Sequence, residues 1–579
     1  MIFSARPSMW LALPLTLVSL GCDAGHEESV TAFTEGHIYT LDAANTEVEV
    51  MVIQGGEIVY TGTRAGAQSW WDEGLVEVKL AGHTLLPGFH DAHTHLIWSA
   101  ADLLNVDLYS ATTVEELQAA VLEWADNNPS AEWIQGGGWD MSIFDGQLHK
   151  SQLDAVVPDR PTSLYAADGH SSFVNSLALS MAGITKNTPD PEDGRIERDQ
   201  NGEPTGILRE SAMTLVDELM PLMPDSQVDQ GLVMGMAEAN AYGITTIIDA
   251  SVDDWMLAGY RRAEDVGQLT LRVHGAVEVL PGDPENLSYI ESLRDEFGSD
   301  RVMVDAGKFY IDGIIESQTA AMLEPYEDGT NGLANFTDPE LLAAARELDQ
   351  AGFQLHAHAI GDGAVRQFLD AVEGVISSNG ARDRRPLVAH LEVIDPTDIP
   401  RFVEVGALAN FQPLWAYPDS YIVDLTWPVI GEARSEWLYP IGAVVQTGAS
   451  VVAGSDWSVS SMNPFEAIEV AVTRQDPWED AGPILTPQHQ VDVLTAIRAY
   501  TSEGARASFS ENELGTLDVG KRADFIIVDR NPFTLDPYGL SDVVVLETWL
   551  EGGRVFTWGE SEVRQSPRRR PHREVCGHR

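Results

Sequence analysis

The chain has 579 residues, 44% hydrophobic and 22% charged, and its 90 Asp and Glu against 35 Lys and Arg give a formal net charge of −55. That charge repels phosphate backbones, so nucleic acid is excluded as a partner. The two cysteines, Cys22 and Cys576, rule out a disulfide framework and a cysteine-based metal site, and no segment after the N-terminus is apolar enough for a membrane span.

Residues 1–22 read as an export signal. Arg6 precedes the apolar run MWLALPLTLVSLG (Met9 to Gly21), which is too short to span a bilayer and ends in small residues before Cys22. VSLGC resembles a bacterial lipobox, with Ser19 a less usual residue three before the cysteine. The expectation is an exported bacterial protein of the cell envelope, lipid-anchored at Cys22 and touching membrane only through that anchor; an ordinary secretory signal is the alternative. Residues 30–84 then carry short β-type runs, as in HIYTLDAANTEVEVMVIQGGEIVYTGT, broken by Gly and Asn. KRADFIIVDRNPF and VVVLETWLEGGRVFTWG repeat that character within 510–560, so the two ends are expected to build one composite β domain. The arginine-rich end, 561–579, reads as a disordered, solvated basic tail.

Between the ends, across 85–509, apolar strands alternate with amphipathic helical patterns, and the expected fold class is α/β with a closed (β/α)8, or TIM, barrel. Core strands are read at HTLLPGFHDAH, ITTIIDA, TLRVHGAV, VMVDAGKFYIDG, FQLHAHAIGD, PLVAHLEVI, ALANFQP and SVVAGSD. PELLAAARELDQAG and AVRQFLDAVEGVI fall between strands as helices, with apolar residues three and four apart. A large insertion, about 98–241, follows the first strand and is expected to cap the barrel mouth. It contains TVEELQAAVLEWADNN, where Thr113 and Glu116 stand as a capping box.

His93 and His95, two apart in PGFHDAHTHL, project to one face of an extended segment and can chelate one cation. His358, His390 and Asp456 each close a predicted core strand, and in a parallel barrel those ends converge on one rim. Nitrogen and oxygen donors without thiolate suit a divalent cation such as Zn²⁺. The only lysines are Lys79, Lys150, Lys186, Lys308 and Lys521, and Lys308 lies inside the fourth strand. Alternation puts it on one face with Tyr310 and Asp312, pointing into the barrel, where desolvation and a nearby cation lower its pKa. A salt bridge to Asp305 or Asp312 is the alternative to a functional role. As a neutral amine it can capture CO₂ and become an anionic carbamate able to bridge two metals.

PGFHDAHTH, KFYIDG, HAIGD, the strand-end His390, AGSDW with NPF, and GTLDVGKRADFIIVDRNP together resemble the metal-dependent amidohydrolase superfamily, in its amidohydrolase-3 branch with the N-substituted formamide deformylases. GGGWD, DGHSSFVNSLAL and GEPTGILRE extend the resemblance into the insertion. It implies a TIM barrel with a β-sandwich built from both chain ends. It also implies a site of one or two divalent ions held by His93, His95, Lys308 as a carboxylated bridge, His358, His390 and Asp456. DGIIESQTAAM departs from the pattern, with Glu316 and Gln318 in place of a more usual small residue and arginine.

The expected chemistry is hydrolysis of a non-peptide C–N bond in a small-molecule substrate by metal-bound hydroxide, since a divalent cation lowers the pKa of its water toward about 7. Asp456 is the expected proton shuttle, accepting the water proton and delivering it to the leaving nitrogen. His390 and His170 complete the candidate catalytic set, His170 reaching in from the insertion. Tyr310 and Arg209 are weaker candidates, and Trp139, Trp415 and Trp457 could shape substrate choice. Deamination or ester hydrolysis at the same site, and a non-catalytic surface lipoprotein, remain alternatives; whether the chain forms a homo-oligomer stays open.

Overall fold

The computed structural model describes residues 30–559 apart from 73–74, 145, 192, 222 and 480; the export stretch with Cys22 and the basic tail lie outside the described residues. One sheet is parallel throughout and takes eight strands in chain order. They are β1 (Phe89–Thr94), β2 (Ile244–Val252), β3 (Arg272–Glu278), β4 (Val302–Tyr310), β5 (Gln354–Ala359), β6 (Leu387–His390), β7 (Leu408–Phe411) and β8 (Val451–Ala453). Each coincides with a strand read from the sequence, and the fold is the expected α/β barrel, nearly closed.

Helices fill the outer layer for the reason their patterns predict. Asp362–Asn379 buries Ala364, Val365, Phe368, Leu369, Val372 and Val375, the stripe of a 3.6-residue period. On β4, Phe309 packs outward against Phe336 and Phe368, with ring centroids 5.8 and 6.4 Å away, while the neighbouring Lys308 turns inward.

The seam between β8 and β1 has no strand ladder among the described residues, and specific hydrogen bonds hold it instead. Asp456 N donates to His93 O at 2.8 Å, His95 N to Trp457 O at 3.0 Å, and Asn410 Nδ2 to Ala92 O at 2.9 Å. A Cβ on Gly454 would lie 2.5 Å from His93 N and 2.8 Å from its Cβ, so glycine permits this approach. Gly454→Ala is expected to cost about 1–3 kcal/mol of stability, read as a lowered urea midpoint, because the seam must part.

HTLLPGFHDAH, read as one strand, is two. Thr84–Pro87 pairs antiparallel with Phe525–Val528 in another sheet, and only Phe89–Thr94 enters the barrel. The break falls at Gly88, where a Cβ would meet Thr245 Oγ1 at 2.5 Å, so the chain passes close over β2 as it changes sheets.

That other sheet draws on both chain ends: its strands run from Thr31–Tyr39 through Thr84–Pro87 and from Phe525–Val528 through Gly553–Thr557. A third sheet belongs to the segment between β1 and β2, in the order Gly194–Arg198, Pro204–Glu210, Ser171–Val174, Thr162–Ala166, Ile134–Trp139, Val106–Asp107. Helix Val114–Asn127 beside it carries the Thr113–Glu116 capping box. Trp139, Phe144 and Phe173 of this segment share one apolar core with the barrel, so it is packed on the barrel rather than tethered to it. No helix among the described residues is long and apolar enough to cross a membrane.

Candidate metal centre

β1 ends at Thr94, and His95 begins helix Leu96–Asp102 with φ −119° and ψ 51°. Extended geometry lasts long enough to keep the rings of His93 and His95 5.5 Å apart, and Asp456 Oδ1 lies 3.3 Å from Nε2 of each. The His390 ring stands 4.8 Å from His93 and 4.5 Å from His358. Ligand atoms of His93, His390 and Asp456 all fall within 4.8 Å of one another. His358 turns its Nε2 toward Gly313 O, at 3.2 Å, and Asp312 Oδ1, at 3.6 Å.

Lys308 is fully buried, its Nζ 3.2 Å from His93 Nε2 and 4.8 Å from the centre of the Tyr310 ring. The alternative salt bridges are not made: Asp305 pairs with His274 at 2.8 Å, and Asp312 accepts the backbone N–H of Ile360, Gly361 and Ala321.

The backbone is held under strain here. His390 (φ 78°) and Asp456 (φ 53°) occupy the left-handed region, which costs a non-glycine residue about 1–3 kcal/mol. Trp415 stacks on the His390 ring at 5.5 Å with planes 2° apart. Asp91 ties Asp456 to β1, its carboxylate accepting from His93 N, Ser455 N and Ser455 Oγ at 3.2, 2.9 and 2.5 Å.

These residues fit a divalent cation. Asp456 Oδ1 and His390 Nδ1 are buried without a hydrogen-bond partner, although Asp456 Oδ1 sits close to two imidazoles. Buried polar atoms are rarely left so, and convergent unpaired donors are what a bound ion satisfies. The charge states agree. Burial pushes His93 down to about 3 and holds His358 and His390 well below the usual imidazole range, leaving the neutral rings a metal requires. Burial opposes the charge on Asp456, but contacts from His93 and His95 outweigh it and keep the carboxyl well below its ordinary value. Burial lowers Lys308 to about 7, against the pull of Asp456 and Glu278.

His170 arrives from the third sheet, its ring 5.5 Å from that of His358. Its Nδ1 pairs with Glu210 Oε2 at 2.8 Å, and Glu210 Oε1 accepts from Thr319 Oγ1 at 2.6 Å in the loop after β4. Burial disfavours the imidazolium, yet Glu210 and Asp168 prevail and raise His170 from 6.5 to about 9. Its contribution to stability is therefore complete below pH 6.5 and lost as pH rises through about 9. In chelator-treated protein, His170→Gln is expected to flatten the fall of the urea midpoint across that window.

The weaker candidates divide. The Tyr310 ring is 5.6 Å from His358, but Arg209 is held by Glu197 at 2.9 Å and Ser171 Oγ at 3.2 Å, inside the insertion. Trp139 donates to Leu164 O at 2.9 Å and lines a cavity of about 850 Å³ with Met141, Phe144, Glu210, Glu316 and Thr319. Through Glu210 this cavity abuts His170. Glu316 accepts from Thr426 Oγ1 at 2.7 Å, and the same hydroxyl lies 3.4 Å from Glu392. Burial and then the charge of Glu316 push Glu392 well above the usual carboxylate range.

Sequence reasoning missed Asp91, Glu210 and His356. Asp91 and His356 each stand two residues before a named ligand candidate, so alternation pointed to the same face. Glu210 had no such signal, since it meets His170 only through pairing of Ser171–Val174 with Pro204–Glu210.

Residues 76–556 match the amidohydrolase family Amidohydro_3. A putative amidohydrolase, YtcJ, of Bacillus subtilis is 30% identical over 90% of this chain and 98% of its own length. The N-substituted formamide deformylase of Arthrobacter pascens is 28% identical over 89% of this chain and 96% of its own. Among solved structures, an uncharacterized metal-dependent hydrolase from Pyrococcus horikoshii superposes with a TM-score of 0.71 at 24% identity, covering 88% of this chain and 99% of that one.

Proposed function

Because this chain belongs to the amidohydrolase family, we propose that it is a metal-dependent hydrolase of a non-peptide carbon–nitrogen bond, in an N-acyl, N-formyl or cyclic amide. The observation that carries the reading is the convergence of neutral His93 and His390 with anionic Asp456 at the C-terminal rim of the barrel, Lys308 against His93 beneath them. His95 and His358 complete the set that would hold one or two divalent ions, zinc being the natural fit to nitrogen and oxygen donors. Such a cation supplies acidification of water and polarisation of a carbonyl.

The chain's own groups do the rest. Asp456, ionised at neutral pH, takes one proton of the attacking water at its carboxylate and passes it to the departing nitrogen, so that the amine leaves neutral and Asp456 returns to its ionised form. His170, held at Nδ1 by Glu210 with its ring 5.5 Å from that of His358, steadies negative charge developing on the carbonyl oxygen. The cavity beside Glu210 takes the non-reacting part of the substrate, with Trp139, Met141 and Phe144 as its apolar wall. Lys308 in its neutral form adds CO₂ with loss of one proton, converting a buried amine into a carbamate anion that suits the neighbouring ligands. Export and lipid attachment at Cys22 would place this activity in the cell envelope.

The protein expressed from just after Cys22 is expected to bind stoichiometric metal and to cleave a member of a panel of N-acyl amines, N-formyl amines, N-acyl amino acids and cyclic ureides. Product analysis separates the chemistries: amine with carboxylate marks an amidase, ammonia a deaminase, alcohol an esterase. Metal-loaded protein that distinguishes itself from Asp456→Asn on none of these amides overturns the amidase reading. Dialysis against a chelator is expected to abolish turnover, and stoichiometric zinc to restore it.

A further inference from the structure

Below the convergent donors lies a buried histidine that the proposed chemistry leaves without a role. His356, on β5, is fully buried and in register with Lys308 of β4. Its Nε2 is 2.8 Å from His93 Nδ1, the rings 4.8 Å apart and inclined at 76°. Its other nitrogen, Nδ1, is buried with no hydrogen-bond partner.

A neutral imidazole has one N–H and one lone pair, so a single proton lies between these two rings. With that proton on His93 Nδ1, His93 Nε2 keeps a lone pair facing Asp456 and Lys308. With it on His356 Nε2, His93 must carry its own proton on Nε2 and can ligate nothing there. The first arrangement puts the remaining proton of His356 on the partnerless Nδ1, at a desolvation cost of about 1–3 kcal/mol. That nitrogen is partnerless in either arrangement, as N–H or as lone pair, so what separates the two is His93 Nε2, which only the first leaves free to bind.

We propose that His356 is a positioning residue for His93, accepting the Nδ1–H hydrogen bond and so holding the ring in the tautomer and orientation that present Nε2 to a metal ion. The inference rests on His93 being a ligand. Ligating histidines usually give this hydrogen bond to a carboxylate, a backbone carbonyl or water; here both rings are completely buried and a second imidazole takes that place.

The test measures metal affinity by competition with a chromophoric chelator, together with the visible spectrum of the Co²⁺-loaded protein. His356→Leu, which removes the acceptor, is expected to weaken binding roughly 10- to 100-fold and to alter the Co²⁺ bands. His356→Gln, whose carboxamide oxygen can reach the same point, is expected to recover most of both. Should the leucine variant not fold, His356→Phe replaces it as the acceptor-free member. Affinity and spectrum unchanged in the acceptor-free variant, or a glutamine variant no better than it, overturns the inference. His93→Ala run in parallel separates the two levels: if it binds metal as tightly as wild type, the ligand reading itself falls, and if it alone binds weakly, only the role of His356 falls.

Discussion

Exchange of Asp456 for Asn is expected to lower kcat by roughly 10²- to 10⁴-fold, the range set by loss of a positioned general base and acid. The carboxamide keeps the volume and hydrogen-bonding reach of the side chain, and the backbone bond from Asp456 N to His93 O is untouched, so the seam between β8 and β1 stays closed. What disappears is the anion. Its carboxyl lies well below the ordinary range because His93 and His95 crowd one oxygen at 3.3 Å, so the wild-type group is a base throughout the neutral range. An amide accepts no proton at any accessible pH. Steady-state kinetics of zinc-reconstituted variant and wild type, with thermal unfolding as the control, check this. KM is expected to change far less than kcat, because the lost interaction belongs to the transition state. A variant that folds, holds its metal and retains most of the wild-type kcat would remove Asp456 from the chemistry.

Lys308→Ala is expected to be comparably severe for a different reason. Lys308 is enclosed by His93, Tyr310 and the strands on either side, and burial brings its pKa to about 7, so much of it is a neutral amine at physiological pH. On the proposed reading that amine adds CO₂ to give a carbamate, and truncation would delete an anionic ligand. Bound metal is expected to fall below stoichiometric and activity by roughly 10²-fold or more, in line with the several kcal/mol a metal ion supplies to charge stabilisation. Formate or propionate added at millimolar levels is expected to restore part of both by filling the space the side chain leaves. Labelling with ¹³CO₂ is expected to give a carbamate signal in wild type that Lys308→Ala lacks. A folded Lys308→Ala protein with full metal and full activity would show the lysine to be structural.

The metal-site candidates were legible because local rules govern them. His93 and His95 share a face through strand alternation, and His358, His390 and Asp456 stand at or just beyond strand ends because each precedes the turn of a βα unit. Lys308 was conspicuous for a related reason, as the lone cation in an apolar run whose alternation aims it inward. The eight barrel strands were legible too, each being a compact apolar segment between helical patterns. The limits of that reading fall where two sheets compete for one stretch: HTLLPGFHDAH looks continuous, and only pairing with Phe525–Val528 on one side of Gly88 and with β2 on the other assigns its halves to different sheets.

By itself, then, the sequence determined the barrel, the donor types and their shared rim, since all three follow from short-range periodicity and from which residues end a strand. Tertiary structure alone decided what surrounds those donors. Glu210 meets His170 across 40 residues, His356 meets His93 across 263, and Asp91 meets Ser455 across 364. No local pattern encodes such pairs, because hydrogen bonds between imidazole, carboxylate and hydroxyl depend on which strands become neighbours, and that is settled by packing of the whole barrel and its inserted sheet.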